Sequence, residues 1–151
     1  MRKLVLCLVL TCFPAAIVVA PAVHASDSGS SVESPEMTRA RAEIKAKQYA
    51  AALADLKILV VKEPTADVLS LYGHALWKTG DPAQGMIYYN KALAINPMHK
   101  GALEYQGELF VELGQLGKAK ENLAKLNHLC WFGCEEASDL KEAIEHAPRR
   151  N

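Results

Sequence analysis

Two cysteines near the end of the chain have a spacing that could do chemistry. Cys130 and Cys134 stand in the segment LCWFGCEE, separated by a tryptophan, a phenylalanine and a glycine. Such a pair can form a disulfide, act as a thiol redox centre, or supply two of the ligands of a metal ion. The compartment decides between these roles, because disulfides persist in oxidising spaces and thiols stay reduced in the cytosol.

The start of the chain indicates an oxidising compartment. Two basic residues are followed by an apolar run from Leu4 to about Val23, and small residues close this run at Ala25. This layout predicts a secretory signal peptide over residues 1–25, cleaved after Ala25, and a periplasmic or secreted protein without a membrane segment after cleavage. The alternative is a membrane anchor, because the run is about as long as a spanning helix requires. The two prolines and many alanines of the run favour cleavage.

Cleavage would leave an even pair of cysteines and a nearly neutral domain. The signal peptide contains Cys7 and Cys12, so only Cys130 and Cys134 would remain. Removing its two basic residues from the 17 in the chain leaves 15 against 17 acidic residues, which excludes the basic excess typical of nucleic-acid binding. About 126 residues would remain, enough for one small domain with its own core.

The residues around the pair favour a disulfide that closes a tight turn. A thiol redox centre usually has two residues between its cysteines, whereas three lie between these, and Glu135 and Glu136 disfavour a thiolate at Cys134. A zinc site needs four ligands, and the nearby histidines do not follow a common zinc spacing. We therefore predict a structural disulfide, with Trp131 and Phe132 packed beneath it as an apolar plug. A thiol-redox or metal-binding role for the pair is kept as the alternative.

The elements that must position this pair are helices. From residue 36 onward the chain is rich in alanine, leucine, lysine and glutamate. Its apolar residues are three and four apart, without alternation of period two, so we predict an all-α domain. The pattern recurs along the chain. The positions that recur after 34 residues are Leu69 and Leu103, Gly73 and Gly107, Leu76 and Phe110, Gly80 and Gly114, and Tyr89 and Leu123.

A helical sequence with this period resembles the tetratricopeptide repeat (TPR) family. The segment over 66–97 matches the family pattern without a gap, and Gly80 and Pro82 suit the end of one helix and the first turn of the next. Gly85 stands where the family prefers alanine. The resemblance implies a helix-turn-helix solenoid of about three TPR units, the first degenerate, with a C-terminal capping helix. The predicted segments are a linker over 26–35, a domain over 36–147 with units over 36–64, 66–97 and 100–128 and a cap over 135–147, and a tail over 148–151.

The resemblance also implies where a function lies. TPR units line a concave groove with their first helices, and this groove commonly holds a peptide or another protein. Trp77 stands beside a leucine expected in the core, so we expect it to face the groove as a binding anchor. The alternative is that the degenerate first repeat covers Trp77 as core. Carried over to this chain, the groove residues are Arg41, Lys45, Ser70, His74, Trp77, Lys78, Glu104, Glu108 and Glu112.

The charges of these residues predict that part of the groove is acidic. Glu104, Glu108 and Glu112 are four apart and would form one acidic stripe, which inside a groove favours a ligand with a positive segment. Outside a groove, such a run is usually a solvated helix face. Some TPR modules bind a C-terminal carboxylate through lysines and asparagines in the groove, and this sequence lacks that full set.

We therefore predict a non-enzymatic adaptor or assembly factor that binds a protein or peptide partner in the cell envelope. The sequence contains no nucleophile-elbow, phosphate-loop or metalloprotease motif, so we predict no enzyme and assign no cofactor. A further alternative is a self-assembling scaffold, in which the open face of the first repeat stacks on a second copy to give a homo-oligomer. Neither nucleic acid nor, after cleavage, a membrane is an expected partner.

Overall fold

Seven α-helices and no strand make up residues 33–148, the part of the chain that the computed structural model describes. The helices are α1 Pro35–Lys45, α2 Tyr49–Lys62, α3 Ala66–Lys78, α4 Pro82–Ile95, α5 Lys100–Glu112, α6 Leu116–Leu129 and α7 Glu135–Glu145. The predicted all-α class is confirmed. The predicted signal peptide over 1–25 lies outside the described residues, as do 26–32 of the linker and 149–151 of the tail. Within the described part, no helix combines the length and apolar character needed to cross a membrane.

Side chains and prolines at the helix starts explain several of these bounds. Ser34, Thr65 and Asp81 each precede a helix, and each side chain accepts a hydrogen bond from a backbone N–H of the first turn. Pro35 and Pro82 stand in the first turn, where a missing N–H leaves no hydrogen bond unmade. Local residues therefore determine where α1, α3 and α4 begin.

The turn inside each helix pair contains a residue in the left-handed conformation. Gly80, with φ of 103°, and Gly114, with φ of 72°, take it between α3 and α4 and between α5 and α6. The turn between α1 and α2 has Lys47, with φ of 59°, at the corresponding place. A residue with a Cβ adopts this conformation at a cost of roughly 1–2 kcal/mol. The first unit therefore carries backbone strain that the other two units avoid.

The helices pack as three pairs and a cap. α1 pairs with α2, α3 with α4 and α5 with α6, while α7 lies on both α5 and α6. α1 also contacts α3, α3 contacts α5, and α5 contacts α7. The described residues therefore form the predicted solenoid of three units closed by a C-terminal helix, with α1, α3, α5 and α7 following one another along one side.

The middle unit contains a close approach of two glycines. A Cβ on Gly73 would lie 3.0 Å from the carbonyl oxygen of Gly85, and a Cβ on Gly85 would lie 2.9 Å from that of Gly73. The added Cβ on Gly85 would also come within 3.1 Å of the Cβ of Trp77. The glycine at position 85, where the family prefers alanine, therefore leaves room for Trp77 between α3 and α4.

In the third unit, the glycine at the corresponding position, Gly107, makes room for the capping helix. A Cβ on Gly107 would lie 2.5 Å from a methyl carbon of Leu140 in α7. Leu140 is fully buried in a cluster with Leu103 and Leu126. The missing side chain at Gly107 therefore allows the capping helix to insert Leu140 against α5.

Candidate binding groove

A cavity of about 560 Å³ opens on the side of the solenoid formed by α1, α3, α5 and α7. Arg41 of α1, Ser70 of α3, Glu104 of α5 and Asp139 of α7 all line it, together with the loop between α4 and α5. The cavity therefore belongs to no single repeat. Its position corresponds to the concave face that the TPR resemblance implies.

Four of the nine predicted groove residues line a cavity. Arg41, Ser70 and Glu104 line the cavity of about 560 Å³. Glu108 lines a smaller cavity of about 370 Å³ between α5 and α7. Asp139 lines both cavities, so the two adjoin. The acidic residues at positions 104 and 108 therefore face the capping helix rather than open solvent.

Three further predicted groove residues lie outside both cavities. Lys45, Lys78 and Glu112 are exposed, and each is the last residue of its helix. Nζ of Lys78 lies 4.0 Å from Oε2 of Glu108, so one of the three borders the smaller cavity through an ion pair. A direct contact of these residues with a partner stays a prediction.

Trp77 is an interior residue, and the expectation that it faces the groove is wrong. Its side chain is 7% exposed and packs against Tyr89 and Leu109. The indole N–H donates a hydrogen bond to Oε2 of Glu112 at 2.9 Å, and the ammonium of Lys78 lies 3.4 Å from the ring centroid. Trp77 is therefore core, as the alternative proposed, but the side chains that cover it come from α4 and α5 rather than from the first repeat.

His74 is also interior and is not part of the groove surface. It is 6% exposed, and its ring stands between those of Tyr49, Trp77 and Tyr105 at centroid distances of 5.5, 5.7 and 4.0 Å. Burial, and after it the charge of Lys78, lowers the pKa of His74 to about 3. The imidazole is therefore neutral at physiological pH, and its aromatic contacts connect α2, α3 and α5.

Ion pairs occupy one rim of the larger cavity. Asp67 accepts a hydrogen bond from Nε2 of His99 at 2.9 Å and forms an ion pair with Arg41 at 3.2 Å. Nδ1 of His99 accepts from a backbone N–H at the start of α5, so Nε2 carries the ring hydrogen. The hydrogen bond from His99, and then the charge of Arg41, hold the pKa of Asp67 below its usual range. Lys100 lies 3.7 Å from Glu136, so the cations of this rim already have partners.

Two buried polar residues, Glu104 and Ser70, also line the cavity. Glu104 is 9% exposed, and within the described residues its carboxylate makes neither a hydrogen bond nor an ion pair. Burial, followed by the charges of Glu108 and of the carboxylates of α7, raises the pKa of Glu104 to about 8. Ser70 is 1% exposed, and among the described residues its hydroxyl has no hydrogen-bond partner. Unpaired buried hydroxyl groups are uncommon in native proteins, so Ser70, together with the neighbouring carboxylate of Glu104, marks the cavity as a candidate site.

Sequence reasoning missed the contribution of the capping helix to this cavity. Glu135, Glu136 and Asp139 of α7 line it, as does Tyr105 of α5. The cap follows the second helix of the third unit, so it stands where the first helix of a fourth unit would stand and shares the same side of the solenoid. The available signal was the spacing of these acidic residues, three and four apart, which places them on one helical face.

The cysteine pair lies at the corner between α6 and α7. The sulfur atoms of Cys130 and Cys134 are at disulfide bonding distance, and their Cα atoms are 5.6 Å apart, a usual separation for a disulfide. Gly133 has φ of 91°, which allows the chain to turn back inside the closed loop. The corner therefore has the geometry of the predicted staple.

Trp131 and Phe132 project from this corner, and the expectation that they plug the cap is wrong. Their side chains are 81% and 85% exposed, and their rings contact each other at a centroid distance of 4.1 Å. Leu129 and Ile144 pack instead around the buried Leu140 beneath the cap. Because the loop is short and closed at its base, its two aromatic residues are directed away from the core.

The pair also belongs to the group of potential metal ligands found in residues 33–148. One donor atom from each of Cys130, Cys134 and Glu136 lies within 4.8 Å of the others. Sulfur atoms joined in the predicted disulfide would not be available as thiolate ligands, and Glu136 is already engaged with Lys100. Metal binding at this corner would first require reduction of the pair.

Comparisons with known proteins identify the repeat and the fold. The family model for the tetratricopeptide repeat matches residues 66–99, whereas no curated protein matches the chain in sequence. Among solved structures, the chain is similar to the second TPR domain of the human RPAP3 protein, determined by NMR in complex with the HSP70 peptide SGPTIEEVD. The TM-score is 0.60 at 18% identity, and the likeness, which concerns the fold, covers 73% of this chain and 92% of that chain. Residues 66–99 therefore match the tetratricopeptide repeat, and the described residues share the fold of a TPR domain.

Proposed function

We propose that the chain is a non-enzymatic adaptor or assembly factor that binds a peptide or protein segment along α1, α3, α5 and α7. The observation that carries this proposal is the cavity of about 560 Å³ to which all four helices contribute. Stacked repeats present extended surfaces of this kind to their partners, since each unit adds contacts along the same side. The similar TPR domain holds a peptide in its solved complex.

The partner differs in charge from the peptide of that complex. SGPTIEEVD contains two glutamates and an aspartate. An acidic segment would be repelled by the cavity described here, where carboxylates outnumber the cations Arg41 and Lys100. We therefore infer a partner whose contacting segment is neutral or basic. The carboxylates that line the cavity are those of Asp67, Glu104, Glu135, Glu136 and Asp139.

The polar groups of the cavity suit binding better than catalysis. A serine nucleophile needs a base within hydrogen-bond reach. The hydroxyl of Ser70 has no hydrogen-bond partner among the described residues, and His74 on the same helix is enclosed by aromatic rings. These features support a groove that recognises a partner without transforming it.

The adaptor acts in the cell envelope or outside the cell. The motivation is the signal peptide predicted over residues 1–25 and the cysteine pair at bonding distance, which is stable in an oxidising compartment. Fractionation of cells that express the full chain, with sequencing of the mature N-terminus, tests this. We expect an envelope or secreted protein that begins after Ala25. An uncleaved chain in the cytoplasm would exclude this location.

The binding proposal is tested by filling the cavity without changing its charge. Gly101 lines the cavity, and a Cβ there would make only ordinary contacts, the nearest at 3.6 Å from His99. Gly101→Trp therefore places a bulky side chain in the groove. Gly117 of α6 provides the matched control, because a Cβ there would meet nothing within 4 Å and it lines neither groove cavity.

Chemical crosslinking in intact cells, followed by capture of the chain, measures the effect of these two variants. We expect wild type and Gly117→Trp to recover the same partner and Gly101→Trp to lose it, with all three equally folded by circular dichroism. Recovery of that partner with Gly101→Trp would contradict the proposal and locate binding on another surface.

A further inference from the structure

We propose that the cavity of about 560 Å³ receives a lysine or arginine side chain of the bound segment, whose charge lies against Glu104 and whose N–H groups reach Ser70. This inference rests on the proposed adaptor function and names the chemistry of its partner. It starts from two buried residues that line the cavity. The hydroxyl of Ser70 is buried without a hydrogen-bond partner among the described residues, and the carboxylate of Glu104 forms no ion pair with them. A carboxylate of a largely buried residue without a counter-charge attracts a cation, and a guest cation supplies that counter-charge.

The groups that face Glu104 from the surrounding helices are mostly acidic. α7 contributes Glu135, Glu136 and Asp139, and α5 contributes Glu108. The remaining titratable or charged groups are Asp67 of α3, Arg41 of α1, His99 just before α5, and Lys100 and Tyr105 of α5.

The cations that line the cavity do not neutralise the acidic residues around Glu104. Arg41 pairs with Glu33 at 2.6 Å and with Asp67 at 3.2 Å, and Lys100 lies 3.7 Å from Glu136. Both are therefore engaged along the rim, and no ion pair within residues 33–148 involves Glu104. Residues 33–148 therefore supply no cation that balances the negative potential at Glu104, and a cation of the partner can bind there.

The arrangement favours an organic cation over a divalent metal ion. Calcium needs about six to eight oxygen ligands at roughly 2.3–2.6 Å, so its ligands must cluster closely. Within the described residues, the group of acidic, histidine or cysteine donors that meets a 4.8 Å separation is at the cysteine corner and does not include Glu104. A cavity of about 560 Å³ with dispersed carboxylates instead accommodates a long side chain with a terminal charge. The ring of Tyr105, which also lines the cavity, adds a face that such a cation can contact.

The ionisation of Glu104 gives this inference a pH signature. Burial and the surrounding carboxylates raise the pKa of Glu104 to about 8, so the free protein holds a proton there at neutral pH. A guest cation binds the ionised form, and binding therefore releases this proton. The affinity for the guest rises with pH, by up to about tenfold per unit below the pKa of Glu104.

Titration by NMR with the amides of Nα-acetylated arginine and lysine tests the inference on the full chain. The uncharged controls of the same shape are the citrulline and Nε-acetyl-lysine derivatives. We expect saturable shifts of the backbone amides of Ser70, Glu104 and Asp139 with at least one basic probe. A single side chain binds weakly, so we expect saturation at concentrations on the order of 10 mM. Neither control probe should produce these shifts.

Two variants and one further ligand test whether the probes bind at Glu104 and whether a metal ion binds there in their place. Glu104→Gln keeps the shape of the side chain and should weaken binding about tenfold or more, whereas Glu121→Gln on the exposed face of α6 should leave it unchanged. Equal shifts from basic and uncharged probes, shifts at other residues only, or no shifts at all would overturn the inference. Calcium chloride that shifts the same amides while the basic probes do not would also overturn it, in favour of a metal.

The crosslinking capture separates failure of this inference from failure of the adaptor function. If Glu104→Gln recovers the partner as wild type does while Gly101→Trp loses it, the groove binds a segment but not through a cation at Glu104. If both variants recover the partner, both the inference and the adaptor function in this groove are wrong. Loss of the partner from both variants, with Glu121→Gln unaffected, is the result we expect.

Discussion

The two tryptophans of the chain lie in opposite environments. Trp77 is 7% exposed and forms a hydrogen bond with Glu112, whereas Trp131 is 81% exposed and contacts the ring of Phe132, which is itself exposed. Trp77 has room because Gly85 on the facing helix has no side chain. Trp131 has no facing helix, since it stands in a short loop closed by two cysteines. The comparison shows that the space left by neighbouring residues, rather than the residue type, decides which aromatic group is buried.

The largest expected difference between the two sites is in folding stability. Trp77→Ala removes a buried indole and its hydrogen bond, so we expect the free energy of unfolding to fall by about 3–5 kcal/mol. Trp131→Ala removes an exposed group, and we expect a change within about 0.5 kcal/mol. Urea denaturation followed by circular dichroism measures both. Similar losses in the two variants would contradict the assignment of one residue to the interior and the other to the surface.

Glu104 in the groove is also expected to make folding stability depend on pH. Glu104 has an ordinary pKa of 4.5 in the unfolded chain and about 8 in the folded protein. Below about 4.5 both states are protonated and the full stability is present; as the pH rises through about 8, the folded state must ionise a buried group and this stability is lost. One pKa unit corresponds to about 1.4 kcal/mol, so after a discount for solvent in an open cavity we expect a loss on the order of 3 kcal/mol.

Glu104→Gln provides the control for this pH dependence. Glutamine resembles the protonated carboxyl group and does not ionise, so the variant should lose most of the decline in stability between about pH 4.5 and pH 8. Unfolding midpoints across this range measure the difference from wild type. A wild-type profile that stays flat, or a Glu104→Gln profile that declines as steeply as wild type, would show that Glu104 is not the group responsible.

The corner that contains Trp131 is expected to stabilise the fold through the predicted disulfide. By the chain-entropy relation, a disulfide across a loop this short contributes about 2 kcal/mol. The double variant Cys130→Ser/Cys134→Ser should therefore unfold at lower urea concentration than wild type, to about the same extent as wild type treated with reductant. Alkylation of the native protein before and after reduction, followed by mass measurement, checks the bond itself. Free thiols at both Cys130 and Cys134 in the native protein would remove the staple and favour the thiol-redox alternative.

The repeat pattern predicted the fold because each match reflects a local requirement. Gly80 ends a helix in the left-handed conformation and Pro82 starts the next one, so these positions could be placed from single residues. The interior of the solenoid was harder to predict. Whether Trp77 is covered depends on Gly85 in the next helix and on α5 in the next unit. The apolar pattern of a single helix does not show which residues of other helices will pack against it.

The candidate site was predicted only in part for the same reason. Ser70 and Glu104 were placed in the groove by the repeat register, because corresponding positions of successive first helices share one side. The acidic residues of α7 were missed, because the cap was considered for its apolar face, which contains Leu140, and not as a further first helix. A prediction that extended the register into the cap would have found Glu136 and Asp139.

The smallest expected effect concerns only the local surroundings of the two tryptophans. The chain contains two tryptophans, so Trp77→Phe and Trp131→Phe each leave a single emitting indole. We expect acrylamide to quench the fluorescence of Trp77→Phe strongly, since the remaining indole is exposed at the corner, and that of Trp131→Phe weakly, since the remaining indole is buried. Both variants should remain folded, because phenylalanine preserves most of the packing area. If a partner covers the corner, its addition should reduce the acrylamide quenching of Trp131 and leave the quenching of Trp77 unchanged. A partner that occupies the groove alone should leave the quenching of Trp131 unchanged. This measurement therefore separates the groove from the aromatic corner as the surface that a captured partner contacts.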